Sequence, residues 1–155
     1  SLQELIQRLV HTVCAGGSYL LNCGPMGNGK IDPKAVELFS GMGDWIRDNR
    51  ESIYDTEANP LPSRPEWGDA SLSKDGKTLY LHVMKWPVNG KLHVDGVPVK
   101  AASAAFLSPK GADQKILLSQ DGATIRLDLP ATAIDEHDSV ITLTLQSPFP
   151  VRATQ

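Results

Sequence analysis

Cysteine, aromatic residues, net charge and long apolar runs are all scarce in this chain, and each scarcity removes a class of function. Only two cysteines occur, Cys14 and Cys23. A pair says little about redox compartment, and both read as buried free thiols. The four histidines (His11, His82, His93, His137) are scattered, with no H-E-x-x-H or comparable spacing, so neither a metal site nor a cofactor is expected. A net charge of −3 leaves no basic footprint for nucleic acid and no cationic run for a membrane surface. No apolar stretch approaches the roughly 18 residues of a membrane span, and no signal-peptide pattern opens the chain. Ser1 leads directly into a helical pattern, as expected of a chain that begins inside a longer gene.

What is present divides into two grammars. In residues 1–56, Leu2, Leu5, Ile6, Leu9, Val10 and Val13 recur at helical spacing, and Gly16-Gly17 stops that helix. Tyr19-Leu20-Leu21-Asn22-Cys23 is a short, mostly apolar run ended by Gly24-Pro25, the pattern of a strand buried on both faces. A second helix is expected from about Pro33 to Arg50, with Val36, Phe39, Met42, Gly43 and Ile46 inward. Its carboxylates (Glu37, Asp44, Asp48, with Glu51 beyond) read as a solvated face, not a catalytic set. One strand between two helices cannot satisfy its own backbone, because its edges need neighbouring strands. This unit therefore reads as the end of a larger α/β sheet or barrel whose remainder lies outside the chain.

Residues 57–69, with Pro60, Pro62, Pro65 and Gly68, read as a linker. From 70 to 155 the pattern is all-β. Thr78–Met84 alternates with period two, and further strands are expected at Gly90–Val94, Val97–Lys100, Ala104–Leu107, Lys115–Ser119, Thr124–Leu129 and Ser139–Leu145. Asp75-Gly76, Asn89-Gly90, Asp95-Gly96 and Asp121-Gly122 supply turns. So many short strands argue for an antiparallel sandwich.

Gly24, four residues, Gly29 and Lys30 match the P-loop pattern up to its last position. A phosphate cradle needs Ser or Thr after the lysine for magnesium, and a helix starting there. Ile31 offers no oxygen, and Asp32-Pro33 read as an N-cap and first helical residue, about two positions late. A nucleotide binder at Gly24–Lys30 stays only as a rival reading.

Gly16-Gly17-Ser18-Tyr19-Leu20-Leu21-Asn22-Cys23-Gly24-Pro25, Gly27-Asn28-Gly29-Lys30-Ile31, Met42-Gly43-Asp44-Trp45-Ile46 and Asn49-Arg50-Glu51-Ser52-Ile53-Tyr54 carry a more specific signal. With these motifs the chain resembles the C-terminal portion of the α-L-fucosidases of glycoside hydrolase family 29. Leu79–Val83 and Trp86-Pro87 look like the start of that family's β domain. Ser18, Cys23, Asn28 and Arg50 depart from the usual Asn, Val or Ile, Asp and Gly.

The resemblance implies an α+β chain: the final βα unit of a (β/α)8-type barrel (1–56), a linker (57–69) and an antiparallel β-sandwich (70–155). It implies retaining exo-hydrolysis of terminal α-L-fucose from glycans, which needs two carboxyl groups about 5 Å apart. In the family both lie upstream, so no catalytic residue is assigned here, and the chain alone is expected to be inactive. Its partners would be the missing barrel portion and, in the intact enzyme, a fucosylated glycan. Periplasmic or secreted localisation follows from the resemblance alone. Asn22, Cys23 and Gly24 would end at the rim of the sugar pocket, because barrel sites lie at strand C-termini. Trp67 and Trp86 could stack on sugar or fill gaps between layers. Sugar binding by the β domain as a carbohydrate-binding module is the alternative function.

Overall fold

The computed structural model describes residues 1–150, so the last five residues of the 70–155 unit lie outside the described part. Helix α1 (Leu2–Cys14) ends at Gly16, whose φ of 82° suits a residue without a Cβ. Helix α2 (Pro33–Asn49) begins as its sequence dictates: Asp32 accepts a hydrogen bond from Lys34 N at 2.8 Å, and Pro33 occupies the first turn.

Eight strands follow: β1 (Thr56–Glu57), β2 (Gly68–Ser73), β3 (Thr78–Val83), β4 (Lys91–Val94), β5 (Ala101–Phe106), β6 (Leu117–Asp121), β7 (Thr124–Asp128) and β8 (Ser139–Leu145). They form a five-stranded sheet in the order β1-β2-β3-β8-β5 and a three-stranded sheet in the order β4-β7-β6, with every pairing antiparallel. The chain is therefore a mixed helix and antiparallel-sheet structure.

Side-chain alternation sorts the larger sheet into two faces. Leu79, Leu81 and Val83 of β3, with Ile141, Leu143 and Leu145 of β8, meet Leu92, Val94, Ile125 and Leu127 of the smaller sheet in one apolar cluster. Tyr80 and Val140 point the other way and join Ile6, Leu9, Val10, Cys14, Met42 and Trp45 of the helices. The result is three layers: helices, large sheet, small sheet. Leu79, Leu81, Ile125, Leu127, Ile141 and Leu143 are fully enclosed, each contributing about 1.5–3 kcal/mol of burial.

Several elements differ from the sequence-based expectation. Tyr19–Cys23 is extended but belongs to no sheet, and Leu20 is 89% exposed. Residues 18–25 make no backbone–backbone hydrogen bond with the described residues.

Val97–Lys100 is not a strand either. Pro98 has no N–H, and the Gln120 side chain meets two of the segment's carbonyls, while Val97 N and Lys100 O bond to the backbone of Ala123 and Gln146. The Gln120 amide nitrogen lies 3.4 Å from Val97 O and 3.0 Å from Val99 O, while its oxygen accepts from Ala101 N at 2.9 Å.

Strand β2 was not expected, because Gly-Asp-Ala-Ser-Leu-Ser has poor β propensity. It forms because Gly68 to Leu72 pair in register with Val83 to Leu79. A Cβ at Gly68 would run into the carbonyl oxygen of His82, so only glycine fits this entry to the sheet. Residues 57–69 thus include one residue of β1 and two of β2.

On α2 the buried face is Met42, Trp45 and Asn49: of the expected stripe Met42 is buried and Ile46 packs against the core, but Val36 is 50% exposed. The Trp45 indole sets this face by donating to Asp138 O at 3.1 Å.

Candidate functional site

The layer between the helices and the large sheet carries an unusual set of polar groups. Alternation along β2 and β3 that sends Leu72, Leu79 and Leu81 to the apolar core sends Asp69, Ser71 and His82 toward the helices. His82 and Asp138 are both fully buried, with Nδ1 and Oδ2 2.6 Å apart. Burial pushes the Asp138 carboxyl above its ordinary range, and the adjoining His82 pulls it partly back. Among the described residues, His82 Nε2, Asp138 Oδ1 and Asn49 Oδ1 lack a hydrogen-bond partner.

A second buried carboxylate, Asp69, is clamped from two sides. His11 of α1 reaches Oδ2 through Nδ1 at 3.0 Å, and Arg64 reaches the same oxygen through Nε at 2.9 Å. Further bonds sew the layers together: Ser71 Oγ donates to Ser52 O at 2.9 Å, and Asn59 N donates to Cys14 O at 2.8 Å. These groups position elements. They do not form a cleft in which a substrate could meet two carboxylates.

The structure scatters the residues singled out from sequence. Asn22 and Gly24 are exposed and Cys23 is a half-buried free thiol, all in the extended segment between the helices. Gly24 has nothing within 4 Å of the place a Cβ would occupy, and it is absent from the glycines with positive φ. The turn in this loop is made at Gly29, with φ of 77°, and Asn28 caps it by accepting from Lys30 N at 3.0 Å. No strand precedes this loop and α2 starts only at Pro33, so the geometry of a phosphate cradle is not present.

Trp67 and Trp86 sit together at one end of the β2–β3 pair, away from the 22–24 segment in chain and contacts. Trp86 is a packing residue: its N–H donates to Pro130 O at 3.0 Å and its ring stacks on Phe106 with centroids 6.2 Å apart. Trp67 donates to His93 O at 3.0 Å and lines two adjoining surface grooves. Among the described residues, no group of three or more His, Cys, Asp or Glu is arranged to hold a metal ion.

Sequence reading missed the polar residues under the helices. The available signal was the alternation itself: in β3 every second residue is leucine or valine, which leaves Tyr80 and His82 facing something other than the apolar core.

Comparison with known proteins converges on one family. The family model described as Alpha-L-fucosidase matches residues 1–51. Human plasma alpha-L-fucosidase is 32% identical over 143 residues, covering 88% of this chain and 30% of the relative. Alpha-L-fucosidase isoenzyme 1 from Paenibacillus thiaminolyticus superposes with a TM-score of 0.82 at 29% identity, over 95% of this chain and 35% of that one. The alpha-L-fucosidase from Vibrio sp. strain EJY3 superposes with a TM-score of 0.84 at 28% identity, over 98% of this chain and 27% of its own. The chain thus spans about a third of the length of the proteins it matches. On sequence and fold together, the chain belongs to the α-L-fucosidase family and corresponds to a C-terminal portion of it.

Proposed function

We propose that this chain is the C-terminal part of a retaining exo-α-L-fucosidase that removes terminal α-L-fucose from glycans. In this reading, residues 1–56 supply the last βα unit of a (β/α)8-type barrel, and 70–155 form a β-sandwich that braces it. The observation that carries the reading is the segment from Tyr19 to Ile31. It holds Leu20, Met26 and Ile31, all exposed, and backbone unpaired among the described residues over 19–25, between two well-formed helices. Apolar side chains and free ladder groups side by side are what a strand presents when its sheet neighbours lie elsewhere.

The similarity to fucosidases supplies the identity of those neighbours: the remaining two-thirds of such a protein. Once paired, Tyr19–Cys23 would run into the barrel and bring Asn22, Cys23 and Gly24 to its C-terminal rim, where sugar pockets lie. The catalytic carboxylates would come from the upstream strands, and the 155-residue chain alone would not hydrolyse fucosides. The brace is supported by the bonds that tie Trp45 to Asp138, His11 to Asp69 and Ser71 to Ser52 across the layers. Periplasmic or secreted placement belongs to the same proposal and rests on the family resemblance.

The test is release of the chromophore from an aryl α-L-fucoside. The chain alone should give background rates, and the polypeptide extended upstream by a fucosidase barrel should turn over. Turnover by the isolated chain would refute its dependence on the missing part. An inactive extended protein that is folded would refute the fucosidase reading itself.

A further inference from the structure

Two tryptophans at the same end of the β2–β3 pair are both partly buried against the apolar cluster between the sheets, but the surroundings of their remaining surface differ, and that difference points to a binding site. Trp86 is spent on packing against Phe106. Trp67 instead borders a groove of about 370 Å³ shared with Arg64, Glu66, His93 and Asp95, and a neighbouring groove of about 400 Å³ continues past the same Arg64, Glu66 and Trp67. We propose that this Trp67 surface is a secondary glycan-binding subsite that takes a neutral oligosaccharide.

The argument is chemical. A pyranose presents an apolar C–H face and a ring of hydroxyls that both donate and accept. Its receptor therefore needs a flat apolar plate, with donors and acceptors around it and no dominant charge. The indole is that plate, and its orientation is held by the N–H bond to His93 O at 3.0 Å and by Met84 N and Lys85 N donating to Trp67 O at 2.9 Å each.

Arg64 brings donors that are already fixed. Its Nε is bound to buried Asp69 at 2.9 Å, its side chain is 53% exposed, and among the described residues only Nε is engaged. His93 projects from the exposed face of β4. Glu66 and Asp95 add acceptors, the latter ordered by Thr124 Oγ1 at 2.7 Å. Two carboxylates would repel an anionic ligand and the arginine a cationic one, so the lining favours a neutral polyol. The choice of glycan among such ligands rests on the fucosidase reading. A subsite here would hold the rest of a branched glycan or tether the enzyme to substrate-rich surfaces, raising the local substrate concentration.

The test uses the full 155-residue chain labelled with ¹⁵N, whose three tryptophans give separable indole signals. Titration with 2′-fucosyllactose should shift the Trp67 N–H signal saturably, in the millimolar range typical of a small contact. The Trp45 and Trp86 signals should stay still, and glycerol should shift none. Trp67→Phe should weaken binding a few-fold, and Trp67→Ala or His93→Ala by about tenfold. An unmoved Trp67 signal at the highest sugar concentration, or equal movement of all three signals, overturns the proposal.

In the upstream-extended protein, Trp67→Ala should leave kcat/KM on an aryl fucoside unchanged and raise KM for the oligosaccharide. Unchanged KM for both refutes the subsite while leaving the fucosidase reading intact. Sugar binding at Trp67 by a protein that cleaves no fucoside would do the reverse.

Discussion

The β-rich part of this molecule and the segment between its helices obey opposite rules. From β2 to β8, each strand finds a partner within the chain and apolar side chains close over one another, down to zero exposure at Leu79, Leu81 and Ile141. From Tyr19 to Ile31, the backbone is unpaired among the described residues over 19–25, and Leu20, Met26 and Ile31 face outward. Both regions contain good strand-forming or helix-forming residues. On the proposed reading the contrast comes from where the neighbours are: a strand is stable only beside another strand, and the inner segment would find its partners in the rest of a barrel.

Substitutions can test how deep that contrast runs. The largest effect is expected in the closed region. Leu81→Ala should cost about 2–5 kcal/mol, because its cavity opens between two sheets that cannot collapse, and urea denaturation followed by far-UV circular dichroism measures it. Thiol chemistry gives a second comparison. Cys14, the last residue of α1, is buried and its thiol is pushed far up by burial, whereas Cys23 is half-buried in the unpaired segment. Since the thiolate is the reactive form, iodoacetamide should modify Cys23 about a hundredfold faster than Cys14, as read by mass spectrometry of tryptic peptides. Comparable rates would mean that the helix layer opens readily.

A third, smaller effect concerns the buried pair beneath the helices. The Asp138 carboxyl is held above its ordinary value in the folded state, so the native state binds that proton more tightly than the unfolded chain does. Its stabilising contribution is complete below the unfolded value of about 4 and is lost as pH rises through the folded value. Stability relative to Asp138→Asn should therefore fall as pH rises above about 4, by at most about 1.4 kcal/mol per pH unit. Denaturation midpoints of both proteins across that window measure the slope, and a flat difference would show that His82 fully offsets the burial.

The smallest effect belongs to the open segment. Leu20→Ser should change the chain's own stability by less than about 0.5 kcal/mol, because that side chain is 89% exposed. In the upstream-extended protein the same change should cost several times more, as a buried barrel leucine would. Equal small effects in both would break the comparison and the reading of this segment as a barrel strand.

Much of the architecture was legible in the residues. Asp32-Pro33 marks the start of α2, the alternation of Thr78–Val83 marks β3, and Ser139–Leu145 reads as the strand β8 that it is. The apolar run Tyr19–Cys23 reads as a strand buried on both faces, but in the structure it belongs to no strand and Leu20 is exposed. Less legible were positions where a distant side chain does the work of backbone. Gln120 dissolves the expected strand at Val97–Lys100 by meeting two of its carbonyls, and β2 exists only through its pairing with β3. The candidate site divides the same way: Trp67 and Trp86 are equivalent as letters and both pack against the core, and only their other neighbours stack one on Phe106 and leave the other lining a groove.

Local chemistry was enough to specify helices, caps, turns, most strands and the family motifs, because these depend on spacings of a few residues. Which face of α2 is buried was settled by a contact 93 residues away, Trp45 to Asp138 O. The burial of Asp69, His82 and Asp138 under the helices likewise depends on three layers meeting. Burial and polar pairing are properties of assembled surfaces, and a linear pattern records which residues alternate but not what each face will meet.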